Sequence, residues 1–296
     1  MTTPNRMLSN RRAVALFVGP GMLVYLVVVL VPVIWSTVYT FFGGSVLNGF
    51  EFVGFDNFAR LWGDAAFLQA TNFTIRYAIV ATVGQMALGL GLALVYTFWL
   101  KRTSTLIRTL LFFPVVLPSV AVAALFVKIF AIAPQYGLVN AVLDSLSLDR
   151  FVLPWLGTGS TAFWVLVLMH CWQAMGFYGL ILFAGMIDIP DEIVEAARVD
   201  GASGTRLVRH VVLPLIRPIF LVSLIFCVTN SLKVFDSIMA LTAGGPGRST
   251  TPLTVYMQSN AFTYQDYGYA TTIALVLGLM VLLVSVPILR QAQKES

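Results

Sequence analysis

Long uncharged stretches are the feature that most limits what this chain can fold into. Six runs are apolar over about 20 residues or more, the length that a helix needs to cross a hydrocarbon core about 30 Å thick. These runs cover residues 13–42, 72–100, 106–133, 160–187, 215–240 and 268–289. We therefore expect an all-α, polytopic membrane protein with six transmembrane helices.

Composition excludes the soluble classes of protein. Of the 296 residues, 58% are hydrophobic and only 10% are charged, whereas soluble chains average about 25% charged residues. A soluble domain of this size could not cover its surface with so few charges. The first run follows Arg11 and Arg12. It is much longer than the core of a signal peptide, about 7–15 residues, so we interpret it as a retained span.

The distribution of Lys and Arg predicts the orientation in the membrane. With a cytoplasmic N-terminus, twelve of the eighteen basic residues lie on the cytoplasmic side and four on the other side. Basic residues accumulate in cytoplasmic loops, so we expect both termini in the cytoplasm. The external connections are then 43–71, 134–159 and 241–267, and the charged loop 188–214 is cytoplasmic. Residues 1–296 are predicted to form a single transmembrane domain.

The chain lacks the motifs of a hydrolytic enzyme. The segment nearest to a phosphate-binding loop, at 201–206, has neither the spacing nor the lysine of that motif. His170 and His210 are too far apart for a local metal motif, and Cys171 and Cys227 lie within apolar runs without zinc or disulfide spacing. We expect no catalytic residue, no metal site and no cofactor in this chain.

Ionisable residues within spans indicate ion-coupled carriers in many membrane proteins. Here they are Lys128, Lys233 and Asp236, with His170 as a weaker candidate. Lys233 and Asp236 are three residues apart, so a single helix would allow them to pair with each other. We favour this self-neutralised pair, and an ion-coupled secondary carrier remains the alternative.

The loop 188–214 has the pattern of two short helices. Pro190 suits a helix start, and Asp191 and Glu192 then occupy the first turn, where the helix dipole favours acidic residues. Gly201 interrupts this first helix.

The second helix of the loop is predicted to start with Ser203 as its cap. Its apolar stripe consists of Leu207, Val208, Val211 and Val212. Pro214 is expected to open the fifth span. From these residues alone, an amphipathic linker lying in the headgroup region is the alternative interpretation.

Three blocks of this loop carry a family resemblance. They are Glu195-Ala-Ala, Asp200-Gly-Ala-Ser and Leu213-Pro-Leu-Ile-Arg-Pro218. In order and spacing they resemble the signature of permease subunits in binding-protein-dependent ABC importers. The resemblance implies that the loop is a coupling helix inserted into a cleft on an ATP-binding subunit. The coupling residues that it implies are Glu195, Ala196, Ala197, Asp200, Gly201, Ala202, Leu213 and Pro214.

Other blocks resemble the carbohydrate-uptake permeases, in particular the first permease of maltose-type pairs. They include Pro114-Val-Val-Leu-Pro-Ser119, Asn230-Ser-Leu-Lys-Val-Phe-Asp236 and Leu241-Thr-Ala-Gly-Gly-Pro246. The resemblance implies a bacterial cytoplasmic-membrane importer with a second permease, two ATP-binding subunits that hold ATP and Mg, and an external solute-binding protein. Its cargo would be a di- or oligosaccharide or a related polyol. Glycerol 3-phosphate is the alternative cargo, an amino-acid or phosphate ABC permease is a more distant alternative, and a scaffold protein without transport is another class.

The resemblance also indicates a substrate path. The positions that match sugar-contacting positions of the family are Trp172, Gln173, Phe177, Cys227, Asn230, Ser231 and Val234. Hydrogen-bonding groups and aromatic faces are what a neutral polyol requires within a membrane. Hydrogen bonding between helices is an equal interpretation for Asn230 and Ser231, and ordinary packing is an alternative for Trp172. Gly84, Gly89 and Gly91 are interpreted as helix-packing residues.

Overall fold

The computed structural model describes residues 11–45, 49–100, 104–132 and 134–295. The first helix, α1, consists of Arg11–Tyr25, a π-helical turn at Leu26–Leu30, and Val31–Tyr39. A hairpin follows, formed by β1 (Phe42–Ser45) and β2 (Gly49–Phe52). The remaining helices are α2 (Asp56–Gly63), α3 (Ala65–Phe98), α4 (Ser104–Val116), α5 (Ser119–Ile129), α6 (Leu138–Ser145), α7 (Gly159–Ile187), α8 (Asp191–Val199), α9 (Gly204–Leu215), α10 (Arg217–Leu232), α11 (Asp236–Leu241), α12 (Leu253–Gln258) and α13 (Tyr267–Glu295).

The predicted class, a helical membrane protein, is confirmed. Among the described residues, four helices are long and apolar enough to cross a membrane: α1, α3, α7 and α13. Two bent pairs raise the number to six if each pair is one span. They are α4 with α5, at 97°, and α9 with α10, at 72°. The orientation and the exact span count stay predictions. Four positions used in those predictions, Arg6, Lys101, Arg102 and residue 133, lie outside the described residues.

Two span limits differ from the prediction. The second span was expected from residue 72, but α3 begins at Ala65, because the Asp64 carboxylate accepts hydrogen bonds from the amides of Ala66 and Phe67 (2.9 and 3.3 Å). The third span was expected to be continuous over 106–133. Instead the chain bends at Pro118, where the ring disfavours helical geometry in the preceding residue.

The fifth span also differs from the expected helix over 215–240. Helix α10 ends at Leu232 and α11 begins at Asp236, so Lys233 lies in the break between two helices. The expectation of one helix carrying both Lys233 and Asp236 is therefore wrong. Both side chains are exposed, and the described residues contain no ion pair between them.

The chain divides into two compact units. The first comprises Met1–Gly63 and Met257–Leu275. Within it, the Asn57 amide donates to the carbonyls of Thr40 and Phe42 (2.9 and 3.0 Å), which attaches α2 to the start of the hairpin. Arg60 forms an ion pair with Asp266 at 2.6 Å.

The second unit comprises Asp64–Tyr256 and Val276–Ser296, and it contains the long helix pair α3 and α7. Small residues let these two helices approach closely. A Cβ atom on Gly84 would lie 2.7 Å from the Cys171 sulfur, and one on Gly89 would lie 2.7 Å from Tyr178 Cβ. The prediction that Gly84 and Gly89 serve packing is confirmed, and the pair forms the frame that positions the candidate site.

Candidate functional site

The loop between α7 and α10 folds as two helices joined by a bend, as the sequence predicts. Helix α8 starts directly after Pro190 and has Asp191 and Glu192 in its first turn. At its end, the amide of Gly201 donates to the carbonyl of Arg198 at 3.0 Å. Gly201 has a φ of +83°, a backbone conformation that favours glycine. The reversal of the chain after α8 therefore depends on this residue.

The predicted coupling residues divide between an outer and an inner face of this loop. Those that are exposed are Glu195, Ala196, Asp200, Gly201 and Pro214. The others are partly buried and pack against an apolar cluster of the second unit: Ala197, Ala202 and Leu213. The outer face is available to a partner, and the inner face attaches the loop to the spanning helices.

Helix α9 carries the predicted apolar stripe. Leu207 and Val212 are buried, and Val208 and Val211 are half-buried. Leu207 and Val212 belong to the same cluster as Tyr96 near the end of α3 and Met186 near the end of α7. The loop therefore packs on an apolar cluster that it shares with two spanning helices.

Two details of this second helix differ from the prediction. Ser203 occupies the cap position, but its side chain makes no capping hydrogen bond. Pro214 lies within the last turn of α9 rather than at the start of the fifth span. The chain bends at Ile216, and Pro218 is the proline in the first turn of α10.

Two of the three path residues predicted on α7, Trp172 and Gln173, contact the bent pair α4 and α5. Trp172 is half-buried and its ring lies 5.9 Å from that of Phe126. The Gln173 amide donates to the carbonyl of Leu117 at 3.0 Å, at the bend before Pro118. Phe177 is half-buried with its ring edge-on to Tyr178 at 5.2 Å.

The path residues predicted after α7 have contrasting environments. Cys227 and Ser231 are fully buried against α3, where the Thr82 hydroxyl donates to the Ser231 hydroxyl at 3.5 Å. Val234 is also buried, and its carbonyl accepts from the Thr254 hydroxyl at 2.5 Å. Asn230 is exposed. Ser231 is therefore enclosed in a helix contact, whereas Asn230 stays accessible although its side chain also interacts with Tyr178 of α7.

The buried polar residues of α3 are a feature that the sequence analysis missed. Gln85 is 1% exposed, and its side-chain oxygen accepts a hydrogen bond from the Cys227 thiol at 3.5 Å. Its amide nitrogen has no hydrogen-bond partner among the described residues. Buried polar groups without a partner are rare. The signal that could have indicated this position is a glutamine in the middle of an apolar run.

A second missed feature is a polar cleft of about 380 Å³ between the N-terminal third of α3 and the start of α7. Its α3 side presents Gln69, Asn72 and Arg76, and the Arg76 guanidinium lies 5.6 Å from the centre of the Phe163 ring. Trp164, which is 61% exposed, also lines the cleft. Amides, a cation and aromatic faces together can bind a hydroxylated ligand. The sequence signal was the spacing of three and four residues, which places these polar groups on one helix face.

Comparisons with known proteins agree with these features. Residues 85–293 match the family of binding-protein-dependent transport system inner membrane components. A probable ABC transporter permease protein of Bacillus subtilis is 34% identical, over 91% of this chain and 92% of that protein. A sulfoquinovosyl glycerol transport system permease protein of Agrobacterium fabrum is 32% identical, over 96% of this chain and 91% of that protein.

One solved structure has the same fold over nearly the whole chain. It is a bacterial ABC transporter involved in the import of the acidic polysaccharide alginate, with a TM-score of 0.82 at 21% identity, covering 98% of this chain and 99% of that one. The family match extends over more than half of the residues and includes the two-helix loop. The chain therefore belongs to the inner membrane components of binding-protein-dependent transport systems.

Proposed function

We propose that this chain is one permease subunit of an ATP-driven importer that carries a sugar across the bacterial cytoplasmic membrane. The chain would be a single permease domain with six spans and both termini in the cytoplasm. The observation that carries the proposal is the exposed face of the two-helix loop, which combines accessible Glu195 and Asp200 with an inner face packed on the spanning helices. Such a loop can receive force from a separate subunit.

Relatives support a sugar or related polyol as the cargo. Their names include transport permeases for sulfoquinovosyl glycerol, for multiple sugars and for trehalose and maltose. We propose a di- or oligosaccharide or related polyol here, with glycerol 3-phosphate as the alternative. The uncharged, hydrogen-bonding character of Gln173 and Asn230 is compatible with a neutral polyol.

Partners would supply every step that this chain cannot perform. We propose a second permease, two ATP-binding subunits that hold ATP and Mg, and an external solute-binding protein. A solved alginate transporter with the same fold is in complex with an alginate pentasaccharide-bound periplasmic protein, which supports the external partner. The outer face of α8 would dock on one ATP-binding subunit, and the coupling residues above would transmit its movement to α7 and α10.

The composition of the native complex tests this proposal. We expect this chain, purified in mild detergent with its native neighbours expressed, to elute with a second six-span protein and a nucleotide-binding protein, identified by mass spectrometry. The complex is expected to hydrolyse ATP and the chain alone to hydrolyse none, because the sequence has no phosphate-binding loop.

Elution of the chain alone or as a homo-oligomer would contradict the proposal, as would ATP hydrolysis by the isolated chain. Uptake that persists without ATP and collapses with a protonophore would instead identify an ion-coupled carrier. Uptake that is unaffected by deletion of the chain would identify a scaffold protein.

Neighbouring residues of α10 offer a sharp test of the substrate path. Replacing the exposed Asn230 with Leu is expected to lower uptake about tenfold at limiting sugar, because one hydrogen bond to a polyol is lost. Replacing the buried Ser231 with Leu is expected instead to destabilise the assembled protein by about 1–3 kcal/mol. The reason is that a larger side chain must fit at a fully buried position against Thr82.

Uptake and complex yield should be measured in parallel for both variants, with Ser231→Ala as the control that removes the hydroxyl without adding volume. If Asn230→Leu reduces complex yield as much as it reduces uptake, Asn230 is a packing residue and has no place in the path.

A further inference from the structure

A long groove lies where the end of α3 meets the loop helices. Its volume is about 660 Å³, and all of its lining residues belong to the second unit. The wall along α3 is apolar and includes Leu94, Val95 and Phe98. The opposite wall is formed by the start of α9. None of the eight predicted coupling residues lines the groove.

The α3 glycines explain how the groove arises. Gly84 and Gly89 face α7, where an added Cβ would collide with neighbouring atoms. Gly91 is different: it lines the groove, and a Cβ placed there would have no atom within 4 Å. The expectation that all three glycines serve packing is therefore wrong for Gly91. Its missing side chain leaves open space rather than allowing a helix to approach.

The loop contributes polar and cationic groups to the groove. Among the described residues that line it, Arg198 is the ionisable one, and Ser203 and Thr205 add hydroxyl groups. Arg198 makes no ion pair with any residue that the structure describes. Trp99, which directly follows α3 and also lines the groove, is 81% exposed, as is typical of tryptophan at the boundary between lipid and water. The groove thus combines an apolar wall with a cation that has no ion-pair partner among the described residues.

The dimensions suit one class of occupant. From Gly91 to Trp99 the helix rises about 12 Å, which accommodates part of an acyl chain along the apolar wall. The Arg198 guanidinium offers charge-assisted hydrogen bonds to a phosphate group. A basic pocket beside spanning helices, open to the headgroup region, is a recurrent site for anionic lipids.

We propose that this groove binds one anionic phospholipid, with an acyl chain against Gly91 and its phosphate at Arg198. The lipid fills the space between α3 and the start of α9 and so supports the loop where it meets α3. This site is separate from the substrate path and stands independently of which sugar is carried.

Native mass spectrometry of the purified complex, with this chain and its partner subunits, tests the site. The complex is titrated with phosphatidylglycerol and, separately, with phosphatidylethanolamine of the same acyl chains. We expect phosphatidylglycerol to bind about tenfold more tightly. Gly91→Leu should lower its binding about tenfold by filling the groove, and Arg198→Gln should abolish the preference between the two lipids.

The matched control is Gly278→Leu, the same substitution at an exposed α13 glycine that likewise has open space and lies outside the groove. It should bind phosphatidylglycerol as the native complex does. Equal binding by the native and Gly91→Leu complexes would overturn the proposal, and so would equal affinity for both lipids in the native complex. Binding of the lipid only after the ATP-binding subunits are removed would also overturn the proposal and would assign the groove to a protein contact.

Discussion

Replacing Gly201 with Pro should lower uptake about 5- to 150-fold, while the chain remains in the membrane. This range corresponds to the coupling free energies that typically link two sites in a protein. Gly201 has a φ of +83°, and its amide donates to the Arg198 carbonyl. Proline holds φ at about −65° and has no amide hydrogen. The variant therefore cannot form the reversal between α8 and α9. Its loop would no longer transmit movement of an ATP-binding subunit to the spanning helices.

Charge reversal on the outer face of α8 should have the same consequence by another route. Glu195→Lys changes an exposed side chain and leaves the backbone of the loop intact, so we expect uncoupling without loss of the protein. Glu51→Lys, the same reversal on an exposed hairpin residue, is the matched control and should retain uptake. Measurements are uptake of labelled sugar, ATPase activity of the complex and membrane level of the chain. Normal uptake in both Gly201→Pro and Glu195→Lys would refute the docking role of this loop.

Replacing Gly176 with Val should disrupt the fold itself. An added Cβ at Gly176 would collide with the Leu111 carbonyl and would lie 2.9 Å from the Phe112 Cα atom, so the obstacle is backbone of α4 rather than a flexible side chain. Overpacking of a core costs about 1–3 kcal/mol and more where the backbone must move. A decrease of about 3 kcal/mol in the free energy of unfolding would lower the Tm of the detergent-solubilised complex by about 6–12 °C.

The control for Gly176→Val is Gly278→Val, because a Cβ at Gly278 meets no atom within 4 Å. Both glycines lie within long helices, so the intrinsic helix propensity changes equally in the two variants. Thermal unfolding in detergent, followed by size-exclusion chromatography, compares them. Equal Tm values for the two variants would show that α4 and α7 do not pack as the structure has them.

Much of the fold could be predicted from local patterns. The long apolar runs, the absence of enzymatic motifs and the two-helix loop at 188–214 follow from residue types and short spacings. These properties depend on the chain within a few turns, and the hydrophobic length of a membrane acts on each run separately. The helix limits were less predictable. Asp64 starts α3 seven residues early, and Pro118 bends a run that composition alone presents as continuous.

The candidate site was predictable only in part, because burial depends on which face of a helix meets a neighbour. Asn230 and Ser231 are adjacent in sequence, yet they point about 100° apart on the helix, so one is exposed and the other is buried against Thr82. Lys233 and Asp236 are three residues apart, a spacing that would let them pair on one continuous helix, but a break between two helices separates them.

By itself, the sequence determined that this protein is a multi-pass helical membrane protein with a two-helix loop at 188–214, since apolar length and turn residues are local properties. Only the tertiary structure decided the roles of individual side chains. Gly89 and Gly91 are two residues apart and alike in the sequence, but one faces Tyr178 and the other faces an open groove. Their difference arises because α3 has a helix on one side and space on the other, and that arrangement is set by contacts between residues far apart in the chain.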